Sequence, residues 1–210
     1  IPLHETTLTQ YEQILGDSHP DTLQSRNNLA YAYYSAGDLD RAIPLYETTL
    51  TQREQILGDT HPDTLQSRNN LAVAYDVAGD LGRAIPMYKT TLTQYEQVLG
   101  HTHPSTLTSR NNLAAAYQST GDLDRAIPLY EATLTQREQV LGDTHPATLQ
   151  SRSNLAHARE AAETVQQPDT ATPATAPSLQ HPSGRPEQPE RPSPTVLDGA
   201  TDQKAPGIRN

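Results

Sequence analysis

The sequence predicts an all-α solenoid, a row of stacked helices, followed by a disordered tail. A repeat with a period of 42 residues runs through most of the 210-residue chain, and a fixed period of about 20 to 50 residues is typical of stacked repeats. Within each unit the apolar residues recur mostly three or four positions apart, which indicates helices, and no alternating polar–apolar run indicates a strand. The composition changes sharply near residue 166, where a proline-rich segment begins.

The units are nearly identical to one another. Units 1–42, 43–84 and 85–126 align without a gap, and a fourth follows until the pattern fails near Arg159. The first two agree at 35 of 42 positions and differ at positions 4, 11, 18, 31, 34, 35 and 40. A unit this short cannot bury its own apolar face, so we expect neighbouring units to stack into one continuous core.

The first helix of each unit begins at a His-Pro pair, which in the second unit is His61-Pro62. Proline suits the first helical position, because its missing N–H would have no partner there. The apolar face includes Tyr75, and Gly79 ends the helix in the left-handed conformation that glycine tolerates. We interpret the histidines as helix starts rather than metal ligands, since they lie a whole repeat apart, and we expect no metal site.

The second helix of the unit begins after Asp80, whose side chain we expect to cap it. Its apolar stripe runs from Leu81 to Val98, and Gly100 ends the helix. Pro86 lies inside this helix and predicts a bend, since proline removes one backbone hydrogen bond.

The predicted domain organisation follows from this alternation. The repeat array covers residues 1–165 and the tail covers 166–210; the array divides into a half repeat (1–15), three helix pairs (20–57, 62–99 and 104–141) and a capping helix (146–165). The half repeat lacks the helix that would cover Ile1, Leu3 and Leu8, so we expect a piece of a longer array, with self-association through this uncapped end as one expected behaviour. The tail holds nine prolines and too few apolar residues to offset its ordering entropy.

The composition excludes several classes of function. The net charge is −10, with only two lysines, whereas nucleic-acid binders cluster Lys and Arg. There is no cysteine, which excludes disulfides and thiolate sites, and no apolar run approaches the about 20 residues of a membrane span. We expect a cytoplasmic protein that binds neither nucleic acid nor membranes.

The stretch from Asn27 to Leu50, NNLAYAYYSAGDLDRAIPLYETTL, carries a family resemblance. It resembles a tetratricopeptide repeat, with these residues in the family's packing positions: Leu29, Ala30, Tyr33, Gly37, Ala42 and Tyr46. The 42-residue unit is similar to the kinesin light chain type, whose relatives are common in bacterial, especially actinobacterial, multidomain proteins. The resemblance implies a right-handed superhelix whose concave groove binds a protein or peptide partner. The sequence departs from the family pattern at a repeated arginine and at Thr49 and Thr91, where alanine is usual.

Variation between the units concentrates on one face of the first helices. Positions 31, 73, 115 and 157 are Tyr, Val, Ala and His, and positions 34, 76, 118 and 160 are Tyr, Asp, Gln and Glu. In the resembled fold this face lines the groove, which implies that the side-chain preference is set by Tyr31, Tyr34, Val73, Asp76 and Gln118. The alternative is unconstrained drift on an exposed face.

A pair of asparagines precedes these positions in each of the first three units, and Ser153-Asn154 takes its place in the fourth. An amide offers a donor and an acceptor together, so a ladder of amides can bind an extended peptide backbone whatever its side chains. We expect ligand contacts chiefly from Asn28, Asn70, Asn112 and Asn154, and less from Asn27, Asn69 and Asn111. The alternative is that one asparagine of each pair bonds the neighbouring helix.

The arginine that departs from the family pattern recurs at positions 26, 68, 110 and 152. A track of guanidinium groups would bind acidic ligands through paired hydrogen bonds. The commoner outcome, which we favour, is pairing with an Asp or Glu of the adjacent helix.

The favoured function is a scaffold for protein–protein interaction that binds an extended peptide or partner segment in the concave groove. The alternative is a structural or regulatory segment of a larger multidomain sensor of the ATPase type, contacting its own chain or another copy. We expect no enzyme activity and no cofactor, because most polar groups recur once per unit whereas an active site needs a unique set.

Overall fold

Eight helices make up the folded part of this computed structural model, which describes residues 1–166 and Thr195. They are α1 (Pro2–Leu15), α2 (Pro20–Ser35), α3 (Leu39–Leu57), α4 (Pro62–Val77), α5 (Leu81–Leu99), α6 (Pro104–Ser119), α7 (Leu123–Leu141) and α8 (Pro146–Gln166). Within the described residues there is no strand. The predicted all-α solenoid is confirmed, and the predicted disorder of the tail concerns residues that lie outside the described ones.

The helices alternate between two positions in the solenoid. We call α2, α4, α6 and α8 the inner helices, and α1, α3, α5 and α7 the outer helices. Each helix packs mainly against its neighbours in the chain, but α4 also contacts α6, and α6 contacts α8. The principal contacts of the outer helices are all with inner helices. The inner helices therefore pack against one another and line the concave side of the array.

Each inner helix begins with a histidine cap. At α4, Nδ1 of His61 accepts the backbone N–H of Asp63 at 3.2 Å. The same bond, also at 3.2 Å, begins the other inner helices at His19, His103 and His145. The imidazole thus satisfies one of the backbone donors that a helix start leaves without a partner, and the interpretation of the histidines as helix starts is confirmed.

A single aspartate joins each inner helix to the following outer helix. Gly79 has a φ of +82°, and the N–H of Asp80 donates to the carbonyl of Tyr75 at 2.8 Å, which closes the turn that ends α4. Oδ1 of Asp80 accepts the N–H of Arg83 at 3.0 Å and so caps α5, as predicted. A further bond from the Arg83 guanidinium holds the pKa of the Asp80 carboxyl below its usual range.

The core is built from small and aromatic residues in alternation. Among its fully buried members are Ala30, Ala42, Tyr46, Ala72, Ala84, Tyr88, Ala114, Ala126 and Tyr130. These occupy, unit after unit, the packing positions that the family resemblance implies. The stripe predicted for α5 is wrong at its end, because Val98 is 45% exposed.

Threonine at a small-residue position is accommodated by a local hydrogen bond. Oγ1 of Thr91 donates to the carbonyl of Met87 at 2.8 Å, one turn earlier in α5, and Thr49 and Thr133 make the equivalent bonds at 2.7 Å. The buried hydroxyl is thereby satisfied. Helix α5 is continuous through Pro86, and the bend there stays a prediction.

Candidate functional site

All of the predicted binding residues lie on inner helices. The asparagines of the second position become more buried towards the middle of the array, since Asn28 is partly exposed whereas Asn70 and Asn112 have no exposed surface and Asn154 is 3% exposed. Amides buried this deeply need hydrogen-bond partners.

Some of the asparagine amides bond to each other within the array rather than remaining available to a ligand. Nδ2 of Asn154 donates to Oδ1 of Asn111 at 3.1 Å, which links the inner helices of two neighbouring repeats. Oδ1 of Asn154 accepts a bond from Gln150 at 2.8 Å, one helical turn earlier. The interpretation in which one asparagine of a pair bonds the neighbouring helix therefore describes Asn111.

Asn112 bonds instead to the backbone of Thr195. Its Nδ2 donates to the Thr195 carbonyl at 2.8 Å, and its Oδ1 accepts the Thr195 N–H at 3.0 Å. One side chain thereby satisfies both backbone groups of a single residue. Nδ2 of Asn69 lies 3.4 Å from the same carbonyl oxygen.

The bond between asparagines of neighbouring repeats is not formed at the α4–α6 step. Asn154 and Asn111 are 43 residues apart, the same separation as Asn112 and Asn69, so Asn112 is the equivalent donor for Asn69. Oδ1 of Asn69 is buried and has no hydrogen-bond partner among the described residues. Oδ1 of Asn27, the same position one repeat earlier, is likewise buried without a partner in the described part of the chain, so the bond seen between Asn154 and Asn111 is not repeated at the two preceding steps.

The predicted specificity residues differ widely in accessibility. Tyr31 is 46% exposed and stacks on Tyr34 with 6.3 Å between the ring centroids. Val73 has no exposed surface and Asp76 is 4% exposed, while Gln118 is partly exposed. The accessible side chains of this set thus lie mainly at the α2 end of the groove.

Two of these variable residues contact tyrosines of the next outer helix. The hydroxyl of Tyr130 donates to Oε1 of Gln118 at 3.0 Å, and the hydroxyl of Tyr88 lies 3.5 Å from Oδ2 of Asp76. Sequence reasoning missed this connection. Its signal is that each variable residue precedes a constant tyrosine by 12 positions.

The first unit lacks this connection because its variable residue is Tyr34. The hydroxyl of Tyr46, the corresponding tyrosine, is buried without a partner in the described part of the chain. Burial raises the pKa of Tyr88 well above its ordinary value, and the negative charge of Asp76 adds to the effect. The Tyr88 hydroxyl therefore keeps its proton and faces the carboxylate as a donor.

The repeated arginines pair within the array rather than form a basic track. The guanidinium of Arg68 in α4 pairs with Glu54 of α3 at 2.7 Å and donates to Gln94 of α5. The same pairing with the preceding outer helix recurs at Arg26, Arg110 and Arg152. Pairing within the array, the favoured interpretation, is confirmed, whereas the glutamine acceptor was not predicted.

Two searches of the described residues complete the survey of the site. Residues 1–166 and Thr195 contain no group of three or more His, Asp or Glu side chains placed to hold a metal ion. Over the same part of the chain, none of the helices combines the length and the apolar character needed to cross a bilayer.

Comparison with known proteins places the repeats in a family. The tetratricopeptide repeat model matches residues 1–55, 27–97, 77–135 and 109–164. A solved putative kinesin light chain with nearly identical repeats, from Podosopora anserina, is 31% identical, with a TM-score of 0.67 over 79% of this chain and 78% of that one. A solved single-substitution variant of that protein is 30% identical, with a TM-score of 0.69 and the same coverage. BtubC (BKLC) from P. vanneervenii is 23% identical, with a TM-score of 0.68 over 87% of this chain and 79% of its own. No curated protein matches.

The family matches together span most of the chain. Proteins of this family mediate protein–protein interaction and typically act as scaffolds rather than catalysts. The actinobacterial origin stays a prediction. The chain belongs to the tetratricopeptide repeat family and is of the kinesin light chain-like type.

Proposed function

We propose that the array binds an extended segment of a partner protein along its inner helices, with asparagine amides holding the segment's backbone. The observation that carries this proposal is the pair of hydrogen bonds, 2.8 and 3.0 Å long, between Asn112 and the backbone of Thr195. Because the bonds involve only backbone groups, every residue except proline, which has no N–H, meets their requirement.

The same amide recurs along the groove, which supports recognition of several peptide residues in succession. Its positions are Asn28, Asn70, Asn112 and Asn154, and Asn27, Asn69 and Asn111 accompany the first three. The stacked Tyr31 and Tyr34 offer an apolar platform at the α2 end. Of the remaining variable residues, we assign a share in side-chain preference to Gln118, which is partly exposed, whereas Val73 and Asp76 are buried.

The test is selection of peptides from a library against the full chain, followed by affinity measurements on the Asn112→Leu variant. The substitution removes both backbone bonds, each worth about 0.5–1.5 kcal/mol. The selected peptides should therefore bind the variant about tenfold more weakly, since 1.4 kcal/mol is roughly a factor of ten.

A matched control is Gln136→Leu. It exchanges an amide for an isobutyl group on outer helix α7, where Gln136 accepts a bond from Arg110 at 2.6 Å. This variant should bind the selected peptides as the parent does, with both variants as helical as the parent by circular dichroism. Equal binding by the Asn112→Leu variant would refute the amide ladder as the binding element.

A second candidate function is association between copies through α1. Its side chains Leu3 and Ile14 are each 77% exposed, and exposed aliphatic groups of this size are candidates for burial between two copies. Sedimentation of the full chain should then show concentration-dependent association that Leu3→Gln with Ile14→Gln abolishes. A parent that stays monomeric at every concentration would exclude this function.

A further inference from the structure

We propose that the groove has a ligand built into its own chain, the tail segment centred on Thr195. The inference rests on the proposed function, since it names a partner for the same amides. Asn112 holds the backbone of Thr195, 83 residues further along the chain, through both of its backbone groups. The carbonyl of Thr195 lies 3.4 Å from Nδ2 of Asn69 as well, so amides of two neighbouring repeats converge on one tail residue.

The hydrogen bonds between asparagines of neighbouring repeats differ along the array. At the α6–α8 step, the link from Asn154 to Asn111 is closed at 3.1 Å. At the α4–α6 step, the equivalent donor Asn112 is bonded to Thr195, and Oδ1 of Asn69 has no partner in the part of the chain described. The Thr195 backbone thus occupies the Asn112 amide at this step, and the bond between repeats is open at the α2–α4 step as well, since Oδ1 of Asn27 has no partner among the described residues.

The sequence around Thr195 suits an extended ligand. The segment reads PSPTVLD over residues 192–198, and proline favours extended backbone both at its own position and at the residue before it. Neither Pro192 nor Pro194 offers an N–H, whereas Thr195 does. Val196 and Leu197 are also the one adjacent pair of large aliphatic residues after residue 166.

Because the segment belongs to the same chain as the groove, its local concentration is high and even a weak contact is formed. Helix α8 ends at Gln166, so the 28 residues between it and Thr195 tether this segment to the array. Linkers of this kind produce an effective concentration of about millimolar. A partner in solution must displace the tail before it occupies the amides, so the tail raises the concentration of partner needed.

The test compares two substitutions of the same tail residue in the full chain. Thr195→Pro removes the N–H that Asn112 accepts, whereas Thr195→Ala keeps both backbone groups. Because the chain has no cysteine, Ser193→Cys provides a single site for a nitroxide spin label. The label should weaken the amide NMR signals of α4 and α6 more than those of the outer helices.

This weakening should persist in the Thr195→Ala chain and fall severalfold in the Thr195→Pro chain. Thr172→Pro, a proline introduced elsewhere in the tail, serves as the control and should leave it unchanged. Equal weakening in the two Thr195 variants, or none in the parent, would overturn the built-in ligand.

The two proposals fail in different ways. If library peptides bind the Thr195→Pro chain but the label shows no contact in the parent, the groove binds peptides and only the built-in ligand is wrong. If the Thr195→Pro chain, with its groove vacated, binds no peptide, the proposed function is wrong. If both proposals hold, this chain should bind the selected peptides more tightly than the parent, by a factor of about two when the effective concentration equals the tail's own dissociation constant.

Discussion

At the scale of single residues, the same side chain meets different partners in different repeats. Oγ of Ser67 accepts a bond from Arg53 at 2.9 Å, and Ser151 accepts the equivalent bond from Arg137 at 2.7 Å. In the repeat between them the arginine position is Tyr95. Oγ of Ser109 is accordingly buried without a partner among residues 1–166 and Thr195. Each repeat therefore serves as a control for the others.

This difference predicts opposite effects of one substitution. Ser67→Ala removes an acceptor from a buried guanidinium and should lower the free energy of unfolding by about 1–2 kcal/mol. Ser109→Ala removes a buried hydroxyl that makes no bond, so its cost should be about zero and a small gain is expected. Urea unfolding followed by circular dichroism measures both. Equal losses in the two variants would contradict the pairing described for Ser67.

At the scale of helices, the sequence predicted most of the helix boundaries that the structure contains. Helix starts and ends depend on local chemistry, which His-Pro pairs, glycines and aspartates supply within a few residues. Contacts between helices were less accessible to prediction, because the glutamine acceptor of Arg68 lies 26 residues further along the chain. The end of the α5 stripe was also predicted wrongly, since Val98 follows the buried Leu92 by six positions, which at 3.6 residues per turn places it about 120° away around the helix.

Two glycines at one helix junction allow the cost of backbone strain and the gain in helix propensity to be measured separately. Gly79 has a φ of +82° with nothing within 4 Å of an added Cβ, so Gly79→Ala should cost about 1–2 kcal/mol from strain alone. Gly82 lies inside α5, and an added Cβ would meet Oδ1 of Asp80 at an ordinary 3.6 Å. Gly82→Ala should therefore stabilise the protein, by about 0.5–1 kcal/mol.

Thermal unfolding of the two variants and the parent checks this prediction. The midpoint should fall for Gly79→Ala and rise for Gly82→Ala. Shifts of the same sign would show that the positive φ of Gly79 does not govern the end of α4.

At the scale of the whole molecule, periodicity alone was sufficient to predict the solenoid. The candidate site was predictable only in part. The recurrence of asparagine indicated an amide ladder, but whether a given amide bonds a neighbouring repeat or a ligand depends on what else approaches it. The contact of Asn112 with Thr195 joins residues 83 positions apart, and no local pattern encodes such a separation.

The repeat also predicts that whole units can be removed. Deletion of residues 43–84 joins Ala42 to Ile85 within an outer helix and restores the Ala-Ile sequence already present there. The shortened chain should keep the same helicity per residue, with a lower unfolding midpoint because one interface between repeats is lost. Circular dichroism and thermal unfolding test this, and a loss of helicity per residue would contradict nearest-neighbour stacking.

The link between Asn154 and Asn111 has a mechanical consequence. In the proposed mode of binding, the amide that links these two repeats is also the group that holds the ligand, so separating the inner helices and binding a ligand break the same hydrogen bond. A force that separates the inner helices should therefore favour binding, and by thermodynamic reciprocity a bound segment should soften the array. The groove would then couple tension along the solenoid to the affinity for its ligand.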